Sequence, residues 1–165
     1  MIQDLKYKIG KASDFSHTEI SAFKSAVVSA GEVGSMTFDG LIEKNPTLLF
    51  IPSTTNIEAV GALKIPNDSY KKKVFKKSNS TYSPDDFEYE LGWIVSKKAG
   101  EGNGKKLVEI LTKTDSNIYA TVRTENKPMK HILEKLGFEL TGQQYKSERD
   151  EYDLELYIRK QKNAL

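Results

Sequence analysis

The chain has 165 residues, 38% hydrophobic and 29% charged, with a formal net charge of +2, which predicts a single domain over 1–165 and excludes a disordered polyelectrolyte. It has no cysteine, and its two histidines, His17 and His131, lie far apart, so disulfides, a thiolate nucleophile and a local metal pair are not expected. The opening MIQDLKYKIG lacks an apolar signal core and no run reaches membrane-span length, so a cytoplasmic protein with no membrane partner is expected.

Leu5, Tyr7 and Ile9 alternate with polar residues or glycine, predicting a half-buried first strand. Ser16 or Thr18 caps a helix running to about Ala30, with Ile20, Phe23, Val27 and Val28 on one stripe. A shorter helix carries Phe38, Leu41 and Ile42 and stops near Asn45-Pro46. Thr47 to Pro52 and Ile57 to Pro66 read as an antiparallel hairpin. Asn67 to Asp86 is polar and reads as a long loop, with room for a short helix around Tyr70 to Lys77. Then come a strand from Phe87 to Val95, the stretch AGEGNGKKL, a helix with Leu107, Val108 and Leu111, and a strand from Asn117 to Arg123. Pro128 opens a helix with Met129, Ile132, Leu133 and Leu136 at helical spacing, closed by Gly137. A strand near Phe138 and another from Tyr152 to Arg159 end the pattern, which is β-α-α-β-β-β-α-β-α-β-β.

The glycines of AGEGNGKKL at alternate positions, followed by two lysines, suggest a backbone shaped around a phosphate. A triphosphate loop needs G-x-x-x-x-G-K-[ST]. Anchored on Gly104-Lys105, that pattern puts Ala99 at its first glycine and Lys106 where the magnesium-holding hydroxyl belongs. A dinucleotide fingerprint fails too, because Lys105 or Leu107 takes the third glycine's place. A strand, a glycine turn and a helix N-terminus around a diphosphate such as that of coenzyme A fit the surroundings. A glycine turn that merely starts a helix fits this stretch equally well.

A second segment, ATVRTENKPMKHILEKLGFELTG, decides between them. With Gly102, Gly104, Asn126, Gly137 and Phe138 in order, the chain resembles the GNAT superfamily of N-acetyltransferases, most strongly from Glu90 to Gly142. The resemblance implies an α/β (α+β) fold with a mixed, largely antiparallel central sheet of 6–7 strands and helices on both faces. It implies acetyl-CoA as co-substrate, no metal, and a primary amine acceptor, either a small molecule or a protein amine. The implied reaction is direct attack in a ternary complex, since no cysteine exists to carry an acyl group. The chain would act as a monomer or homodimer. Its cofactor-binding positions would be Val95, Lys97, Gly100, Gly102, Asn103, Gly104, Lys105 and Asn126. A backbone N–H near Val95 would meet the thioester oxygen beside a splayed sheet, and Asn126 would bond the cofactor near its thiol end. Asn126 also suits a helix cap before Pro128.

Two positions depart from the family pattern. Ala99 stands where Gln or Arg opens the loop, leaving Lys97 or Lys98 to substitute, and Leu133 stands where many members carry an acid tyrosine. For the base, Glu88 and Glu90 share a strand face by period two, with Gly92 and Ile94 beyond them; Glu90 is preferred, acting directly or through a water. Tyr145 is the best substitute acid, although a thiol leaving group near neutrality does without one. His131 falls off the apolar stripe and reads as solvated. The cluster Lys71, Lys72, Lys73, Lys76 and Lys77 reads first as a solvated loop. It could alternatively draw an acidic substrate or nucleic acid, or pair with SERDEYD. The rival to an enzyme is a non-catalytic acyl-CoA-binding or nucleic-acid-binding module on the same fold.

Overall fold

In the computed structural model, residues 5–98, 100–114, 116–149 and 151–161 are described. Among them are seven strands and five α-helices, in the order β-α-α-β-β-α-β-α-β-α-β-β. The strands make a mixed, largely antiparallel sheet, β1-β2-β3-β4-β5-β7-β6. The chain divides into two compact units, residues 1–65 with 91–111, and residues 66–90 with 112–165. One strand, β4 (Tyr89–Ser96), begins in the second unit and continues in the first.

In the first unit, β1 (Lys8–Lys11), β2 (Thr47–Pro52) and β3 (Ile57–Lys64) are antiparallel neighbours, and the hairpin pairs Leu49 with Gly61. Helix α1 (His17–Ser29) starts as its sequence requires: Ser16 Oγ accepts from the Glu19 N–H, and the Glu19 carboxylate accepts from the Ser16 N–H. Phe23 and Val27 of α1 and Phe38 of α2 (Ser35–Ile42) bury completely or nearly so against Leu48, Phe50, Val60 and Ala62. The opposite side of β3 receives α4 (Asn103–Leu111), where Leu107 and Leu111 come down over Gly61. Helices therefore cover both faces here. The first strand departs from expectation: β1 begins only at Lys8, and Leu5, Tyr7 and Ile9 are all exposed. Alternation alone does not say whether anything lies above an edge strand.

In the second unit β5 (Ile118–Arg123) pairs in parallel with β4, at Tyr89↔Ile118 and Glu90↔Tyr119. It pairs antiparallel with β7 (Asp153–Arg159), which in turn pairs with β6 (Glu139–Lys146). Lying between two neighbours, β7 buries Leu156, Tyr157 and Ile158 consecutively, so both of its faces are covered. Helix α5 (Lys127–Lys135) carries buried Leu133 and exposed His131 and ends beside Gly137.

The short helix given room around Tyr70 to Lys77 is a ten-residue helix, α3 (Asp68–Lys77), and the lysine cluster lies on it and not on a loop. Its few apolar residues sit together: Val74 and Phe75 are buried with Phe87, Tyr119, Leu156 and Ile158. The lysines dominate composition without deciding structure, because the buried stripe supplies the stability. The end of α3 is held closely. The register of β6 shifts between Thr141 and Tyr145, Gly142 there has φ 70, and the Gln143 N–H donates to the Ser78 carbonyl at 2.6 Å. A Cβ on Gly142 would collide with that same carbonyl, so the glycine is required both for its dihedral and for the approach of α3.

Candidate active site

Two sets of residues along and beyond β4 carry chemistry. The first surrounds Glu90, which is 4% exposed. Its Cα partner in the parallel ladder is Tyr119, and paired residues in a ladder present their side chains to the same face. Alternation along β5 adds Thr121 and Arg123 to that face. The β5–β7–β6 register adds a row across three strands, Arg123↔Leu154↔Tyr145. From α3, the Tyr70 phenol reaches Thr121 and Glu90, although the tyrosine as a whole is 42% exposed.

Three phenols thus share one carboxylate. The Glu90 charge, and then burial, hold the Tyr70 phenol well above its ordinary range. For Tyr119 and Tyr145 burial is the larger cause and Glu90 the next. All three stay neutral hydroxyls at any ordinary pH. The Tyr119 and Tyr145 hydroxyl oxygens are fully buried; the Tyr119 phenol meets the Glu90 carboxylate, and the Tyr145 oxygen has no hydrogen-bond partner among the described residues. A buried hydroxyl without a partner beside a buried carboxylate is costly in a folded protein, and a ligand atom there would offset the cost.

The second set lies at the other end of β4. Trp93 has φ 54, a conformation strained for a bulky side chain, and its ring stacks 4.9 Å from Phe38 with Lys64 Nζ 5.2 Å from its centre. That dihedral interrupts the period-two alternation on which Gly92 and Ile94 were grouped with Glu90. Val95 is half-buried and packs on the first unit's core, and the Lys97 N–H donates to the Glu58 carbonyl at 2.8 Å, leaving the Lys97 side chain exposed. Gly100 and Gly102 have φ of 81 and 73, and a Cβ at either would meet no atom within 4 Å. Gly102 offers its carbonyl to the Lys106 N–H and so starts α4, whose first turn holds Asn103, Gly104 and Lys105. First-turn N–H groups have no partner within a helix, and with exposed Lys105 and Lys106 beside open glycine backbone they fit an anionic, phosphate-bearing ligand. Asn103 is 6% exposed and its Nδ2 lacks a hydrogen-bond partner among the described residues. Ala99, the departure from the family loop, lies outside the described residues.

The other candidate residues fall as follows. Glu88 is exposed and precedes β4, so it does not share the buried environment of Glu90. Tyr145 is a β6 strand residue with a buried hydroxyl. Asn126 caps α5, its Oδ1 accepting from the Met129 N–H at 3.2 Å. The lysine cluster is largely occupied by its own chain. Lys71 Nζ donates to the Phe87 carbonyl, Lys72 pairs with Asp68, and Lys73 and Lys77 both meet Glu148 of SERDEYD, at 3.8 and 2.7 Å. Tyr70, Tyr119 and Thr121 escaped the sequence reading. The only signal was the strand-strand register, which no spacing encodes.

Among the described residues no group of three or more His, Cys, Asp or Glu is placed to hold a metal ion, and no helix is long and apolar enough to cross a membrane. No family model matches the sequence, and no curated protein resembles it in sequence. Solved structures do resemble the fold. An acyl-CoA N-acyltransferase from Pseudomonas aeruginosa superposes with a TM-score of 0.66 at 16% identity, covering 94% of this chain and 99% of that one. Arabidopsis thaliana NAA60, solved in complex with acetyl-CoA, gives 0.63 at 12% identity over 93% and 97%. An acetyltransferase of the GNAT family from Streptococcus agalactiae gives 0.62 at 12% identity over 95% and 96%. The strand order, the helix placement and these superpositions agree: this chain has the GNAT fold.

Proposed function

We propose that the protein is an acetyl-CoA-dependent N-acetyltransferase acting on a primary amine by direct attack in a ternary complex. The observation that supports this reading is the buried Glu90 carboxylate with two buried phenol oxygens beside it. A primary ammonium has three N–H donors, and Glu90, Tyr119 and Tyr145 supply three acceptors. Acetyl-CoA supplies an activated acetyl group. Glu90 takes one proton from the ammonium, directly or through a water, which frees the nitrogen lone pair for the thioester carbonyl carbon. The Val95 N–H donates to the carbonyl oxygen as charge develops there. The C–S bond then breaks, and the second nitrogen proton leaves with the thiolate as free thiol. Tyr145 is the hydroxyl placed to relay it. Gly100, Gly102, Asn103, Gly104 and Lys105 hold the diphosphate through backbone amides and positive charge, with Lys97 adding charge and Asn126 contacting the cofactor's thiol arm. A protein free in the cytoplasm, as a monomer or homodimer, fits this role.

The test is calorimetry of acetyl-CoA binding, run beside a free-thiol release assay over a panel of amines. Binding that Gly102→Asp abolishes, with turnover of at least one amine, is the expected result. Tight binding with no turnover of any amine identifies a non-catalytic acyl-CoA-binding module instead. No binding at all overturns both readings.

A further inference from the structure

We infer that the acceptor is an amine carrying an anionic group, with Arg123 as the residue that selects it; this rests on the acetyl-transfer reading of Glu90. The face bearing Glu90 runs along β5 through Tyr119, Thr121 and Arg123, and its exposure rises in that order, from fully buried Tyr119 to exposed Arg123. The amine end is fixed by Glu90, Tyr119 and Tyr145. Four residues of strand separate Tyr119 from Arg123, roughly 13 Å, and the two strand spacings from Arg123 across Leu154 to Tyr145 are roughly 10 Å.

Arg123 is not an ordinary surface cation. Its guanidinium carbon lies 3.9 Å from the centre of the Tyr152 ring, so the side chain is held flat instead of waving in solvent. Tyr152 in turn acts on the Tyr145 phenol, which ties the guanidinium to the hydroxyl cluster. Among the described residues no carboxylate forms an ion pair with Arg123, whereas Lys72, Lys73, Lys77 and Lys130 each have one. A stacked guanidinium presents its N–H fork edgewise, the geometry that receives a carboxylate by two parallel bonds. A buried carboxylate at one end and an unpaired fork at the other suit a molecule with an ammonium and a carboxylate separated by a chain of several carbons. A free amino acid bearing an ω-amine and a peptide end are both of this class.

The probes are 6-aminohexanoate and hexylamine, which share the amine and the chain and differ in the carboxylate. For each, kcat/KM is taken from thiol release, and Kd from calorimetry of the full chain with acetyl-CoA absent. The wild type is expected to prefer 6-aminohexanoate by on the order of tenfold to a hundredfold. Arg123→Gln should collapse that ratio toward one, and Arg123→Lys should restore part of it. Equal use of the two probes by the wild type, or a preference that survives in Arg123→Gln, overturns the inference and leaves acetyl transfer standing. Selective binding of 6-aminohexanoate that Arg123→Gln removes, with no thiol release from any amine, sinks acetyl transfer and keeps the selector. Failure to bind or use 6-aminohexanoate at all overturns the inference.

Discussion

The two units each hold an aromatic cluster, and the two differ in the polar groups they carry. In the first, Phe15, Phe23, Phe38, Phe50 and Trp93 pack with ring centres 4.9–6.1 Å apart, and their rings bring no hydroxyl. In the second, Phe75, Phe87, Tyr82 and Tyr119 pack at 5.4–6.0 Å, but this cluster adjoins Glu90 and the buried Tyr145 hydroxyl. Rings of either kind remove similar area from water. Among the described residues, buried hydroxyls crowd one carboxylate in the second cluster and not in the first, and buried polar atoms lower stability unless something compensates. The core that accepts that cost is the one in which the proposed acceptor site lies.

The contrast breaks most visibly at Phe23. Phe23→Ala empties the middle of the first cluster and should cost about 3–5 kcal/mol of stability in urea unfolding. A loss under about 1 kcal/mol would mean that this cluster is not the stabilising core. Glu90→Gln should do the reverse. Folding stability changes little, while thiol release with the best amine falls roughly a hundredfold or more, as loss of a general base does. Unchanged turnover would remove Glu90 from the mechanism. The smallest effect belongs to Tyr119→Phe, which deletes a buried hydroxyl facing Glu90 and should leave stability within about 1.5 kcal/mol at pH 7. Its signature lies at high pH. The Tyr70, Tyr119 and Tyr145 phenols hold their protons more tightly folded than unfolded. Below about pH 10 both states are protonated and that stability is fully present; above it the unfolded chain releases protons that the folded chain keeps, so stability falls as pH rises. Tyr119→Phe should flatten that decline in alkaline unfolding curves. An unchanged slope would mean that the phenol is not held as the structure has it.

Local signals in the sequence carried most of the fold. The Ser16 cap, the Phe23 and Val27 stripe, the hairpin and Pro128 behind Asn126 each depend on neighbours within a few residues, so spacing alone reveals them. Helix α3 was obscured because its lysines outnumber Val74 and Phe75, and burial of those two depends on β5 and β7 far along the chain. The site split the same way. Gly100 and Gly102 were legible because positive φ is a local demand. Glu90 and Tyr145 were named from the sequence, whereas their companion Tyr119 required the parallel register.

The register shift in β6 has a consequence for how such a chain can change over generations. Lys72, Lys73, Lys76 and Lys77 of α3 can be exchanged one by one, since each meets solvent or a surface partner. Position 142 has no such latitude, because the Ser78 carbonyl occupies the space any side chain would need. The placing of Tyr70 over the carboxylate is therefore inherited through an atom that is not there, and a side chain at 142 in a related chain would mark a helix seated elsewhere.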